Sequence, residues 1–205
     1  MMQLYYLPGA CSLAAHIALE WAAAPYEALG MTHNALRSPE HLALNPGATV
    51  PLLRDGGFLL TESVAVLFYL AECFPEVGLM GEIPRDRAET LRWLAFMNSD
   101  LHAAFKSIFA LKRLEDDDPH AAQRISPTTR RVRGYLERLD RQLAGRDWLT
   151  GVRSIADPYL FVMFRWAVSA DIALDGLRHL TAFARRMYLD PGVRAALFAE
   201  EGLSL

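Results

Sequence analysis

Cysteine is almost absent from this chain: Cys11 and Cys73 are the only two in 205 residues. Two thiols so far apart in sequence make no disulfide framework, so a reducing, cytoplasmic setting is expected. Basic residues are missing from the N-terminus, where no Lys or Arg precedes Arg37. Pro8, Gly9, His16 and Glu20 break the apolar start, which argues against a signal peptide. No uncharged run is long enough to span a bilayer. The most apolar stretch, 159–168, carries Arg165 and lies between Asp157 and Asp171. Charge of one sign is not in excess either. A formal net charge of −3 excludes wholesale attraction to nucleic acid or to an anionic membrane. The arginine-rich stretch 130–146 is interrupted by Glu137 and Asp140, and it reads as a solvated helix face. Repeats and low-complexity tracts are also lacking. What remains is a chain that is 52% hydrophobic and 22% charged, able to bury a core.

The first 80 or so residues switch pattern often. Residues 3–7 read as a short aromatic-rich strand closed by Pro-Gly, 12–23 as an alanine-rich helix, and 26–32 as a second strand. Ser38-Pro39-Glu40 opens a short helix, with Ser as cap and Pro at its first position. Asp55-Gly56-Gly57 is a hairpin signal between strands at 50–54 and 58–61, and 63–73 is helical in pattern. Beyond residues 75–84 every segment reads as helix: 85–112, 127–144, 154–171, 177–188 and 191–199. The expectation is a βαβαββα domain over 1–78 and an all-α domain over 85–205. The acidic stretch 115–119 reads as a solvated turn. Cys73, late in an apolar helix, is expected to be buried.

Three motifs carry chemistry. PGACS (8–12) places Cys11 between a tight turn and a helix start, with the Ser12 hydroxyl beside it. Free N–H groups and the helix dipole lower a thiol pKa there; the alternative is a half-buried inert thiol. No second cysteine is close, so a mixed disulfide on Cys11 needs an external thiol to resolve it. In TVP (49–51), Pro51 enters a strand. A cis Val50–Pro51 bond exposes the Val50 backbone to an extended peptide, and a trans proline on an edge strand is the plainer alternative. In TES (61–63), N–H groups at a helix start and the Ser63 hydroxyl suit a carboxylate, while Glu62 suits an ammonium; simple capping is the other reading. Together these describe a thiol-activating turn, a peptide-pairing edge and an α-amino-acid clamp, a set that fits glutathione.

With LYYLPGACS (4–12), HIALE (16–20), NPGATVP (45–51), LTESVAV (60–66), LH (101–102) and SIADPYLF (154–161), the chain resembles the cytosolic glutathione S-transferases, and among them the bacterial beta class. The resemblance implies a thioredoxin-like N-terminal domain, a C-terminal helical bundle domain, and a homodimer with two glutathione sites. It implies that Cys11 meets the glutathione sulfur with Ser12 nearby, and that Val50 pairs with the cysteinyl backbone ahead of a cis Pro51. It further implies that Glu62 and Ser63 hold the γ-glutamyl group and that His102 reaches back toward the sulfur as a hydrogen-bond partner or proton carrier. SIAD (154–157) matches the family's N-capping box, a folding element with Ser154 as cap and Asp157 at the third helical position; Pro158 departs from the pattern and is tolerable only in a first turn.

Other departures touch binding. Ala95 stands where the beta class has an asparagine, with Asn98 one turn later as the nearby substitute, and Ala103 replaces a usual lysine. The segment 32–44 aligns poorly, leaving Arg37 or His33 for the glycine carboxylate. A second-substrate wall is expected from 7–10 and 105–112. The implied activity is attack of glutathione thiolate on a small electrophile, with thiol transfer through Cys11 beside it. A non-catalytic glutathione- or protein-binding member is the alternative. No metal, nucleic acid or membrane partner is assigned.

Overall fold

A computed structural model of the chain describes residues 1–113 and 121–202. The first segment builds β1 (Met2–Tyr6), α1 (Leu13–Trp21), β2 (Tyr26–Gly30), α2 (Pro39–Leu44), β3 (Leu52–Asp55), β4 (Phe58–Thr61) and α3 (Ser63–Cys73). The strands form one mixed sheet in the order β2-β1-β3-β4, with β1 parallel to β2 and antiparallel to β3. β1 alternates as a half-buried strand must. Met2, Leu4 and Tyr6 join the core, while Tyr5 on the other face meets the His41 ring of α2. The Ser38 hydroxyl accepts from His41 N–H at 3.2 Å, so the expected cap opens α2. Asp55-Gly56-Gly57 closes the β3–β4 hairpin, and Gly56 takes the positive φ (57°) that the turn needs.

The second segment is helical: α4 (Pro84–Phe96), a π-helical turn over Met97–His102, α5 (Ala103–Lys112), α6 (Ala121–Gln142), α7 (Ala156–Ser169), α8 (Arg178–Leu189) and α9 (Pro191–Glu201). This is the expected thioredoxin-like domain followed by a helical domain. The single helix read over 85–112 is instead two α-helices joined by the π turn. Pro127, expected to open a helix, lies inside α6. That helix packs along α5, and the packing outweighs the one hydrogen bond a proline removes. Cys73 is exposed rather than buried, because the last turn of α3 outruns the core. The acidic stretch 115–119 lies outside the described residues. Among them, no helix is long and apolar enough to cross a membrane.

α7 runs through the core, buried on nearly every side from Ala156 to Phe164. Asp157 fixes its start. It accepts from Ser154 N–H (2.8 Å) and the Ser154 hydroxyl (3.2 Å) on one oxygen, and from Leu149 N–H (2.8 Å) on the other. Ser154 Oγ in turn accepts from Ala156 N–H at 3.3 Å, completing the reciprocal box, and Pro158 falls within the first turn. The arginine-rich α6 is more than a solvated face. Its buried Asp140 accepts from His179 and Leu180 N–H and caps α8. α9 returns to the first domain, where Tyr6 donates to the Ala199 carbonyl and the buried His16 and Glu200 side chains pair at 2.9 Å.

Candidate active site

The sheet and the helical domain meet at a cleft of about 780 Å³, within the size range of small-molecule sites. It opens where β1 ends and the chain turns into α1. Gly9 supplies a positive φ (76°) in that turn, and Ala10 N–H donates to the Leu7 carbonyl at 3.0 Å. Cys11, Val50, Glu62, Ser63, Asn98 and His102 all line the cleft. Two sequence-expected residues do not. Ser12 is fully buried and turned inward, accepting from Leu7 N–H (3.2 Å) and donating to the Leu7 carbonyl (3.4 Å). It fastens the turn and does not face the cleft. Pro51 is buried behind Val50, and the Val50–Pro51 bond is cis.

The Cys11 thiol does not behave as its helix-start position suggests. Burial pushes its pKa above the ordinary value, and the Glu62 carboxylate adds to the rise; the Ser63 hydroxyl, the local backbone amide and Lys106 pull the other way. Its Sγ donates to the Val50 carbonyl at 3.4 Å, a contact open only to the protonated form. Of the two readings of Cys11, the raised pKa favours the buried, protonated thiol over the activated thiolate.

Glu62 holds a φ of 71°, a conformation L-residues adopt only when their surroundings enforce it. This kink lets Glu62 and the start of α3 face the same space, with the first helical N–H groups lacking intrahelical acceptors. Arg37 and His33 line the same cleft, from the 3₁₀ turn Ala35–Arg37 and the loop before it.

From the other side, the π turn presents Asn98 and His102 together. Such turns recur at functional sites, because the wider coil redirects side chains. His102 Nδ1 lies 2.6 Å from the Tyr159 hydroxyl, which donates to Asn98 Oδ1 at 2.9 Å. Burial, and next the Lys106 cation, lower the His102 pKa to about 4, so the ring is neutral at neutral pH. Trp166 packs edge-on against His102 (centroids 4.9 Å apart) and donates its indole N–H to the Gly9 carbonyl at 2.8 Å. One side chain thereby joins α7 to both the histidine and the Cys11 turn.

The expected apolar wall from 105–112 is only partly present. Phe105 and Ile108 are fully buried in the core, and of this stretch the cleft takes only Lys106, flanked by Ala103 and Arg113. Lys106, Tyr159 and Trp166 escaped the sequence reading. A signal existed: Lys106 is four residues past His102, and Trp166 seven past Tyr159, spacings that share a helix face. Among the described residues, Arg37, Lys106 and Arg113 face the cleft against the single carboxylate of Glu62, a cationic balance.

Comparison with known proteins gives concordant matches. Residues 1–72 match the family model described as glutathione S-transferase, N-terminal domain. The chain is 43% identical to glutathione S-transferase GST-4.5 of Xanthomonas campestris pv. campestris, over 97% of this chain and 98% of that one. Its fold superposes on a glutathione S-transferase from Xylella fastidiosa with a TM-score of 0.94, at 41% identity and full coverage of both chains. A sphingomonad glutathione S-transferase complexed with glutathione is similar at 35% identity (TM-score 0.85), covering 98% of this chain and 100% of that one. A beta-class enzyme from Sphingomonas chungbukensis is similar at 31% identity (TM-score 0.85), with the same coverage.

Proposed function

The chain belongs to the bacterial glutathione S-transferase family, and from that premise we propose that its cleft binds glutathione and directs the glutathione thiolate at a small electrophile. The observation that carries this reading is the convergence, in one cleft, of Cys11, the Val50 edge and the Glu62–Ser63 helix start. Each meets a different part of the tripeptide. The N–H groups opening α3 and the Ser63 hydroxyl suit the γ-glutamyl carboxylate, and Glu62 suits its ammonium. The Val50 backbone suits the cysteinyl amide, and Arg37 or His33 the glycine carboxylate. The cationic lining favours a ligand that carries net negative charge. On this reading residues 1–78 are the glutathione-binding domain and 85–205 the helical domain.

In the reaction, the glutathione S–H bond breaks, its proton passes to solvent, and the sulfur pair attacks the electrophile as the leaving group departs with its electrons. Lys106 and the N–H groups near Cys11 favour the anion. Cys11, held protonated by burial, serves as a hydrogen-bond donor to it. A second activity, thiol transfer, is favoured by the nearness of the Cys11 sulfur to the same space. The Cys11 S–H proton leaves to solvent as its sulfur attacks the glutathione sulfur of a mixed disulfide and the other thiolate departs; a second glutathione thiolate then displaces Cys11 as oxidised glutathione forms, and Cys11 takes its proton back. Replacing Cys11 with Ala separates the two. Conjugation lowered but still present, with thiol transfer lost, is the expected outcome; both activities unchanged removes Cys11 from the mechanism. A binding-only member of the family is the second reading, favoured by the raised Cys11 thiol, and it predicts no turnover with any electrophile.

We also read the chain as a homodimer. Phe58 and Leu59 on the edge strand β4, Phe68 on α3 and Leu91 on α4 are exposed apolar side chains, the kind of surface a second copy would cover. A sedimentation mass of one chain contradicts this.

A further inference from the structure

The Tyr159 hydroxyl has one proton; Asn98 and His102 lie within hydrogen-bond distance of it, and the nearby Ser63 hydroxyl acts on it as a donor. Asn98 Oδ1 is an acceptor only, at 2.9 Å, and it takes that proton. The second contact, 2.6 Å to His102 Nδ1, then requires the histidine to donate. A neutral imidazole has a single N–H, so with Nδ1 protonated Nε2 carries a bare lone pair. Nε2 is neither a buried atom without a partner nor bonded to any described residue, and His102 lines the cleft; Nε2 therefore meets the cleft. Tyr159 itself keeps its proton, because burial raises its pKa. The charged and titratable groups facing this pair are Lys106, Cys11 and Glu62.

We propose that Tyr159 is a positioning residue that, backed by Asn98, locks His102 in the Nδ1–H tautomer and leaves Nε2 as the acceptor in the cleft. Resting on the glutathione reading above, that acceptor takes a hydrogen bond from the glutathione S–H and aims it. The opposite tautomer would present an N–H to the sulfur and could not receive the S–H proton on its way to solvent. Trp166, edge-on to the ring, keeps the imidazole from turning about its Cβ–Cγ bond.

The tautomer belongs to the free protein and is measured without glutathione, so this inference fails or stands apart from the transferase reading. Long-range ¹H–¹⁵N correlation spectra of histidine-labelled protein at pH 7, with His102 identified by its loss in His102→Gln, report which nitrogen carries the proton. The Nδ1–H pattern is expected for the wild type. In Tyr159→Phe the buried Nδ1 loses its partner, and the proton moves to Nε2, where solvent accepts it. Asn98→Leu, which leaves the core tyrosine in place, frees the Tyr159 proton for Nδ1 and gives the same change. This second variant decides the matter if Tyr159→Phe does not fold. In Tyr159→Phe, kcat for conjugation falls about tenfold, as when the group orienting a functional histidine is removed, with KM for glutathione unchanged. An Nε2–H pattern in the wild type, or Nδ1–H surviving in Asn98→Leu, overturns the proposal.

Discussion

At Cys11 two effects compete, and desolvation prevails over the helix start. The PGACS turn makes the thiol's position legible in the sequence, because turn chemistry is local. Its protonation is not local. It depends on Val50, Ser63 and Lys106, which the fold brings in from elsewhere. Ser12 shows the same limit from the other side: its hydroxyl turns back to Leu7, a choice of rotamer that no pattern encodes. His102 yields a pH prediction. Its folded-state value is lowered to about 4 from an ordinary 6.5. Across that window the unfolded chain takes up a proton that the folded chain refuses, so this contribution to stability is full above about pH 6.5 and is lost as the pH falls toward 4. Urea unfolding of wild type and His102→Gln, compared at each pH, isolates the effect. The variant is expected to lose less stability than the wild type over that range, and equal losses contradict it.

Among the elements, β4, α3 and the start of α2 were legible to the residue, because glycine turns, a Pro at the first helical position and apolar periodicity mark them. The π turn was not, since its sequence is as helical as its flanks; only the side chains it redirects reveal it. The start of α7 was legible as a capping box, but the sequence did not give Asp157 its third donor, Leu149 N–H, from outside the helix. Asp157→Ala strands the N–H groups of Leu149 and Ser154 in the core, each costing about 1–3 kcal/mol. A loss of roughly 3 kcal/mol is expected from urea unfolding of Asp157→Ala, against about 1 for Ser154→Ala. Equal losses from the two would mean that the Leu149 contact adds nothing.

For the molecule as a whole, the domain order was legible from the change of pattern near residues 75–84, but the joint between domains was not. Trp21 donates to Asp190, Trp166 to Gly9, and Ile155 N–H to Leu79, each contact spanning a long stretch of sequence. Such contacts join the domains, which is why Trp166 and Arg113 in the cleft lining were missing from a local reading. Tyr159 and Trp166 sit in a helix that looks like pure core. The central claim is that this joint holds glutathione, with the start of α3 as its anion clamp. Calorimetric titration of the reduced protein with glutathione, wild type beside Ser63→Ala, tests it most directly. The account predicts binding in the micromolar to low-millimolar range, weakened about tenfold by the loss of one hydrogen bond to a charged group. No heat from the wild type, together with failure to be retained on immobilised glutathione, would contradict it.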